Sequence, residues 1–358
     1  MLNFTVGPVT ESEEVLKWGA EPTPYFRNEY FSKIMLENEQ MMKKLVNASC
    51  ESRVVFLTAS GTGAMEAAVI NSFTKQDKVL VVDGGSFGHR FATICELHEI
   101  PYETIAISFN ELLTEDKLLE YENQGFTGFL INVHETSIGK LYDMKIVSEF
   151  CKRNKLFLIV DAISSFLADP FDMTELGVDI MITCSQKALA VPPGVSVLVM
   201  SERAVRRAYE VSCKCMYLNL PDALTNGERG QTPFTPAVGI LIQINARLKS
   251  IIEKGIESET KRMSELASYF RAKITNLPLK IATKSLSNAV TPLLVNEDIS
   301  AYDLFQKLEK EYNIWICPSG GELKDKLFRV GHLGAINIED IDTLVDALSD
   351  CLSNMNKG

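Results

Sequence analysis

Three short stretches of this 358-residue chain carry residue types that can do chemistry together. "SQKALAVPPG" sets Lys187 between a hydroxyl, an amide and a run of small or ring-constrained residues. "LFLIVDAISS" ends an apolar run on Asp161, and "TASGTGAME" places Ser60, Gly61, Thr62 and Gly63 before a helical pattern. A lysine held out of water can serve as nucleophile or base. A carboxylate closing an apolar run is costly unless a cation pairs with it. The start of a helix offers unpaired amides and a favourable dipole to a phosphate. Each feature also has an ordinary reading: a solvated lysine, an aspartate capping the next helix, a plain N-capped turn. The dipole contributes only about 0.3–1 kcal/mol, so several contacts must converge to hold a phosphate ester.

What brings them together is the order of the elements. Short apolar runs rich in β-branched residues, at 53–58, 78–83, 102–107, 128–133, 156–161, 179–184 and 195–200, read as strands. Helical patterns at 62–73, 89–98, 114–123 and 144–152 alternate with them, which predicts an α/β fold with a mostly parallel sheet covered on both faces. Ligands of such sheets gather outside the carboxyl ends of the strands. "TASGTGAME", "DGGSFGHR", "HETSIG" and "DAISS" each follow a strand, and Lys187 follows the strand after Asp161. Neighbouring parallel strands would put Asp161 and Lys187 in one crevice. A phosphate loop, an acid and a lysine around one pocket suggest pyridoxal phosphate, with the lysine forming a Schiff base and the acid holding the ring nitrogen.

Composition narrows the alternatives. The net charge of −11 and the lack of a basic stretch disfavour nucleic acid. Eight cysteines (50, 95, 151, 184, 213, 215, 317, 351) lack metal-ligand spacing, so no metal site is expected and reduced thiols are the simpler reading. The first twenty residues lack a basic segment followed by an apolar one, and no run of 18 apolar residues occurs, so a cytoplasmic chain outside the membrane is expected.

"SGTGAMEAA", "GGSFGHR", "HETSIG", "VDAISS" and "SQKALAVPPG", in this order and at these intervals, resemble the class V aminotransferases of fold type I. The likeness is greatest to the alanine-glyoxylate, serine-pyruvate and 2-aminoethylphosphonate-pyruvate transaminase group, and it runs from "TVGP" to "LFRVGHLG". It implies that Ser60, Gly61 and Thr62 bind the cofactor phosphate or its surroundings and that Phe87 stacks on the pyridine ring. Thr136 and Ser137 would lie beside the ring hydroxyl and phosphate, Ile163 on the ring's other face, and Gln186 near the phosphate. "QTPFTPAVG" matches a segment that reaches a partner's cofactor, with Thr235 the best match for that contact, Thr232 a lesser one, and a homodimer implied. Arg329 in "KLFRVGHLGAI" would grip the substrate carboxylate, a task suited to its planar fork. Gly7 in "TVGPV" would line the same pocket. The implied reaction moves an amino group from a small amino acid or aminophosphonate to pyruvate or glyoxylate by a ping-pong route.

A cysteine desulfurase or related lyase is the alternative within the fold. Phe87 and Gln186 stand where that activity favours histidine, and Cys317 reads as structural. Arg27 and His332 could add an anion contact, though a salt bridge and a packing histidine are the simpler roles. The length exceeds the ~250–300 residues of a single core. The expected organisation is an arm over residues 1–11, a large domain over 12–272 and a small α/β domain over 273–358. One long helical pattern, 237–274, bridges them, and "AYDLFQKLEKEYNIWI" and "NIEDIDTLVDALSDCLSNM" are further helices.

Overall fold

The structure is a computed structural model and describes residues 1–355. Seven strands form the large sheet: β1 (Arg53–Leu57), β2 (Val79–Asp83), β3 (Tyr102–Ala106), β4 (Gly128–Asn132), β5 (Phe157–Asp161), β6 (Ile180–Cys184) and β7 (Ser196–Met200). Their order across the sheet is β1-β7-β6-β5-β4-β2-β3. All seven lie within a residue or so of the apolar runs. Apart from the edge strand β3, these strands are buried on both faces: Leu80 and Val82 of β2, and Leu158 and Val160 of β5, enter one core, while Val79, Val81, Phe157 and Ile159 enter the other. Burial on both sides is why the runs are continuously apolar instead of alternating.

Only β7 runs against its neighbours, antiparallel to both β6 and β1. The connection that carries Lys187, residues 185–195, is too short for a helical crossover, so the chain turns straight back. That leaves β6, β5, β4 and β2 side by side and parallel, with their carboxyl ends along one edge.

Two expectations fail locally. The 237–274 pattern is two helices, Val238–Lys254 and Ile256–Lys273, because Gly255 sits at φ 89° between them. "NIWI" leaves the helix Ala301–Lys307 and its wider last turn at Asn313, at φ 58°, and Ile314–Trp315 pairs in parallel with Leu2–Asn3. The second sheet is antiparallel, with β8 (Leu279–Ile281), β9 (Val290–Val295), β10 (Cys317–Pro318) and β11 (Leu327–Gly331) in the order β8-β9-β11-β10. Its core joins Leu293, Phe328 and Val330 to Leu266 and Phe270 of one helix and Leu344 and Leu348 of Ile338–Met355. No helix among the described residues is long and apolar enough to cross a membrane.

The amino-terminal arm ties the two sheets together. Gly331 N donates to Phe4 O (2.7 Å) and Ala335 N to Thr10 O (2.9 Å) on the small-sheet side. On the other side Val9 N donates to Gln186 O (3.3 Å). The fit depends on glycine: a Cβ at Gly331 would lie 2.2 Å from Thr5 O. Gly331→Ala therefore lifts the arm. We expect a loss of about 1–3 kcal/mol in thermal unfolding and faster proteolysis at the amino terminus. Unchanged stability and protection would show that the arm is not held there.

Candidate active site

Lys187 stands in a loop shaped by its own backbone and by Ser185. The Ser185 hydroxyl donates to Pro192 O (2.7 Å) and accepts from Val195 N (3.3 Å), while Ala190, at φ 51°, returns its amide to Lys187 O (2.8 Å). Lys187 Nζ donates to Val6 O of the arm. A Cβ on Gly7 would come within 2.7 Å of Lys187 Cδ, so the arm lies directly on the lysine stem. Burial, with Arg329 adding to it, pushes the lysine ammonium below its ordinary pKa, against the opposing pull of Asp161.

Asp161 ends β5, with its carbon frame opposite Ile182 of β6 and Asn132 of β4. Among the described residues its carboxyl accepts one hydrogen bond, from Ile163 N at 2.8 Å. Burial raises its pKa to about 6, and the nearby Glu135 charge adds to the rise. It caps no regular helix, so the bland reading of this residue loses its basis. A carboxylate so poorly solvated and so nearly unpartnered is matched to an incoming cation.

At the front of the sheet, the Ser60 hydroxyl accepts from Gly63 N (3.4 Å) and caps the helix Gly61–Ile70. The amides of Gly61 and Thr62, in the first turn, have no partner within the helix. Gly61 lets this turn approach the β5 loop, since a Cβ there would lie 2.5 Å from Ile163 Cδ1. Thr62 Oγ1 accepts from Arg90 Nη1 (3.0 Å), and the Arg90 guanidinium lies 4.9 Å from the centroid of Phe87. Ile163, Phe87 and Gln186 are all partly exposed, as residues lining an open cleft must be.

Arg329 is central in β11 and only 8% exposed, so it is neither at a strand end nor on the surface. Its Nη1 donates to Thr136 O (2.8 Å) and its Nη2 to Pro318 O (2.7 Å), while its buried Nε has no partner. These contacts aim the fork and leave a donor free. Thr136 Oγ1 shares a hydrogen bond with Ser164 Oγ (2.7 Å), which also meets His134 Nδ1 (2.9 Å). Burial drives the His134 pKa down to about 3, so the ring is neutral.

The structure thus gathers Gly7, Ser60, Gly61, Thr62, Phe87, Thr136, Ser137, Asp161, Ile163, Gln186, Lys187 and Arg329 at the junction of the arm, the sheet edge and β11. Thr235 is outside this group. It is exposed in an outward groove with Tyr25, Phe26 and Pro192, and makes no hydrogen bond to the others. Thr232 is buried and donates to Phe234 O (2.7 Å). Among the described residues Arg27 meets no carboxylate: it donates to Gln231 Oε1 (3.1 Å), Thr232 O (2.7 Å) and Pro233 O (3.2 Å), bracing that loop. His332 packs on Phe270 at 5.4 Å and bonds Thr291 Oγ1 at 2.8 Å, the packing role. Sequence reasoning passed over Glu135, His134, Ser164 and Arg90. The first two stand in the quoted "HETSIG", where only an acid inside an otherwise buried turn gave a signal.

A desolvated acid, helix-start amides without helical partners, the Phe87 ring and a buried lysine are groups of the kinds that could hold a planar cationic ring with a phosphate arm. Among the described residues no three His, Cys, Asp or Glu side chains are grouped to hold a metal.

Comparison with known proteins agrees. Residues 14–322 match the family model of the class V aminotransferases. The chain is 30% identical to a protein from a Synechococcus strain named the small subunit of a soluble hydrogenase, over 98% of this chain and 92% of that one. It is 28% identical to the L-aspartate–glyoxylate aminotransferase of Paracoccus denitrificans, over 93% of this chain and 86% of that one. In fold it is similar to the pyridoxamine-pyruvate aminotransferase of Mesorhizobium loti, at TM-score 0.94 and 23% identity, covering 100% of this chain and 93% of the other. The chain belongs to the class V aminotransferases, pyridoxal-phosphate-dependent enzymes of fold type I.

Proposed function

We propose that this aminotransferase takes its amino group from a small amino acid or aminophosphonate of the alanine, serine or 2-aminoethylphosphonate type and gives it to pyruvate or glyoxylate in two alternating half-reactions. The observation that carries this reading is the buried Arg329 fork, braced by two carbonyls with Nε free and close enough for its charge to act on Lys187. One such fork suits a substrate with one small anionic group.

When bound, pyridoxal phosphate supplies an electrophilic carbonyl carbon and a ring that accepts the electron pair released at the donor's α-carbon. The chain's own residues do the rest. The Gly61 and Thr62 amides, Ser60 and Gln186 would hold the phosphate, with Phe87 and Ile163 beside the ring and Thr136 and Ser137 near its hydroxyl and phosphate. Asp161 would keep a proton on the ring nitrogen. Lys187 would carry the covalent link through Nζ and, as a free amine, would move the proton at the donor's α-carbon. Burial lowers the basicity of Nζ, which favours its neutral form. Gly7 and the arm cover the lysine and exclude water.

Thr235 is assigned to the phosphate held by a second copy in a homodimer, a reading supported by its exposure in the outward aromatic groove. The eight unpaired cysteines suit the cytoplasm, and residues 12–272 and 273–358 are taken as the two domains, with 1–11 as the arm. The desulfurase alternative loses support, because Cys317 is fixed in β10 opposite Arg329 and not in a mobile loop.

Two expectations follow. In single half-reactions, read by loss of the cofactor's visible absorbance, small amino donors bleach the protein. Arg329→Ala raises the donor concentration required ~30-fold or more, with cofactor affinity changed less than threefold. Unchanged donor dependence would reject the clamp.

The second concerns Asp161 in the cofactor-free protein. Its folded pKa of about 6 exceeds the ordinary 3.8, so the folded state binds more protons than the unfolded between those values. The group's stabilising contribution is therefore present below the unfolded pKa and is lost as pH rises through about 6. Asp161→Asn mimics the neutral acid: it stabilises the apoprotein at pH 8 by ~1–3 kcal/mol, has little effect at pH 4, and weakens cofactor binding. A destabilised apoprotein at pH 8 would contradict this assignment.

A further inference from the structure

Glu135 is fully buried beside the cleft, and nothing in the reaction as described uses it. Five donors from three segments converge on its carboxylate. They are the amides of Phe87 (3.4 Å) and Gly88 (2.8 Å), Asn132 Nδ2 (2.9 Å), the Ser137 amide (3.1 Å) and the Ser137 hydroxyl. Every one of these partners donates, so the Glu135 oxygens act here as acceptors alone.

Its position is built from both sides. The helix Ser86–Leu97 has no side-chain cap, because Gly85 precedes it, and the Glu135 carboxylate takes over the first-turn amides. Glycine is required for that approach: a Cβ at Gly85 would lie 2.7 Å from Glu135 Cδ and 2.5 Å from Ser137 Oγ, and one at Gly88 2.5 Å from Val82 O. The same carboxylate binds Asn132, at the end of β4, and the turn bearing Thr136 and Ser137.

The Ser137 hydroxyl is spent in this arrangement. It gives its proton to Glu135 and accepts from Ser86 N (3.3 Å), so it has no proton left to donate to a phosphate or a ring oxygen.

We infer that Glu135 is a positioning residue for the cofactor: it fixes the Phe87 ring relative to the 134–137 turn by holding both backbones, with Ser137 serving as its strut. This deepens the proposed site and rests on that reading. Glu135 touches neither substrate nor cofactor and acts through Phe87.

The test is a double-mutant cycle on purified apoprotein titrated with pyridoxal phosphate, read as the dissociation constant and as visible circular dichroism of the loaded protein. Glu135→Gln keeps the shape but brings two donors of its own into a nest of donors. In the native background it should raise the dissociation constant ~10-fold or more and weaken the dichroism. In a Phe87→Ala background, where no ring is left to position, the same change should cost less than about threefold. Equal effects in the two backgrounds, or no effect in the native one, would overturn the inference. If Glu135→Gln does not fold, Glu135→Asp, which retains the charge one methylene short, goes through the same cycle with the same criteria. Failure of the unmutated protein to take up pyridoxal phosphate would instead overturn the proposed site as a whole.

Discussion

A charged carboxylate at the end of a fully buried strand is expensive to keep, and Asp161 is held there with one backbone donor at 2.8 Å. Most of the site is arranged around that cost. β5 lies between β4 and β6, so cations can approach Asp161 only from the carboxyl edge of the sheet. Lys187, Arg90 and Arg329 occupy that edge or face it, and Glu135 adds a second buried negative charge within it. Two carboxylates and three basic side chains thus lie close together at this edge of the sheet.

Close approach is the second constraint, and glycine meets it where the backbone must pass near other groups. Gly61 brings the phosphate turn onto Ile163, Gly85 admits Glu135 to the start of the Phe87 helix, Gly88 lets that helix pass Val82 O, and Gly7, at φ 115°, lays the arm on Lys187. The arm also joins the small sheet through Phe4 and Thr10, so the lysine and the arginine of β11 are linked by a few hydrogen bonds of one short segment.

The sheet was readable in the sequence because strands buried on both faces leave continuous apolar runs, and the candidate residues stood out because Asp161 ends one such run and Lys187 closely follows the next. Other features left weaker marks. The break at Gly255 lies inside an unbroken helical periodicity, and a single glycine does not announce a stop. "NIWI" keeps the helical pattern but pairs with Leu2–Asn3, more than three hundred positions away, and no local window contains its partner. Arg27 pairs with carbonyls, which leave no trace in charge pattern. Glu135 was overlooked because its partners at 87 and 88 are brought to it by the adjacency of β2 and β4, while those at 132 and 137 are ordinary local contacts. Arg329 was found only through family resemblance, since a lone arginine in a short strand carries little signal, and its burial and bracing emerge only in three dimensions.

The central claim is that Lys187, dried by burial and covered by the arm, carries the cofactor. It is tested most directly by reducing the loaded protein with borohydride and mapping the label by peptide mass spectrometry. The account predicts a visible absorption band that borohydride abolishes, with one phosphopyridoxyl adduct, on the peptide containing Lys187. A protein that stays colourless after incubation with pyridoxal phosphate, or an adduct on a different lysine, would contradict it.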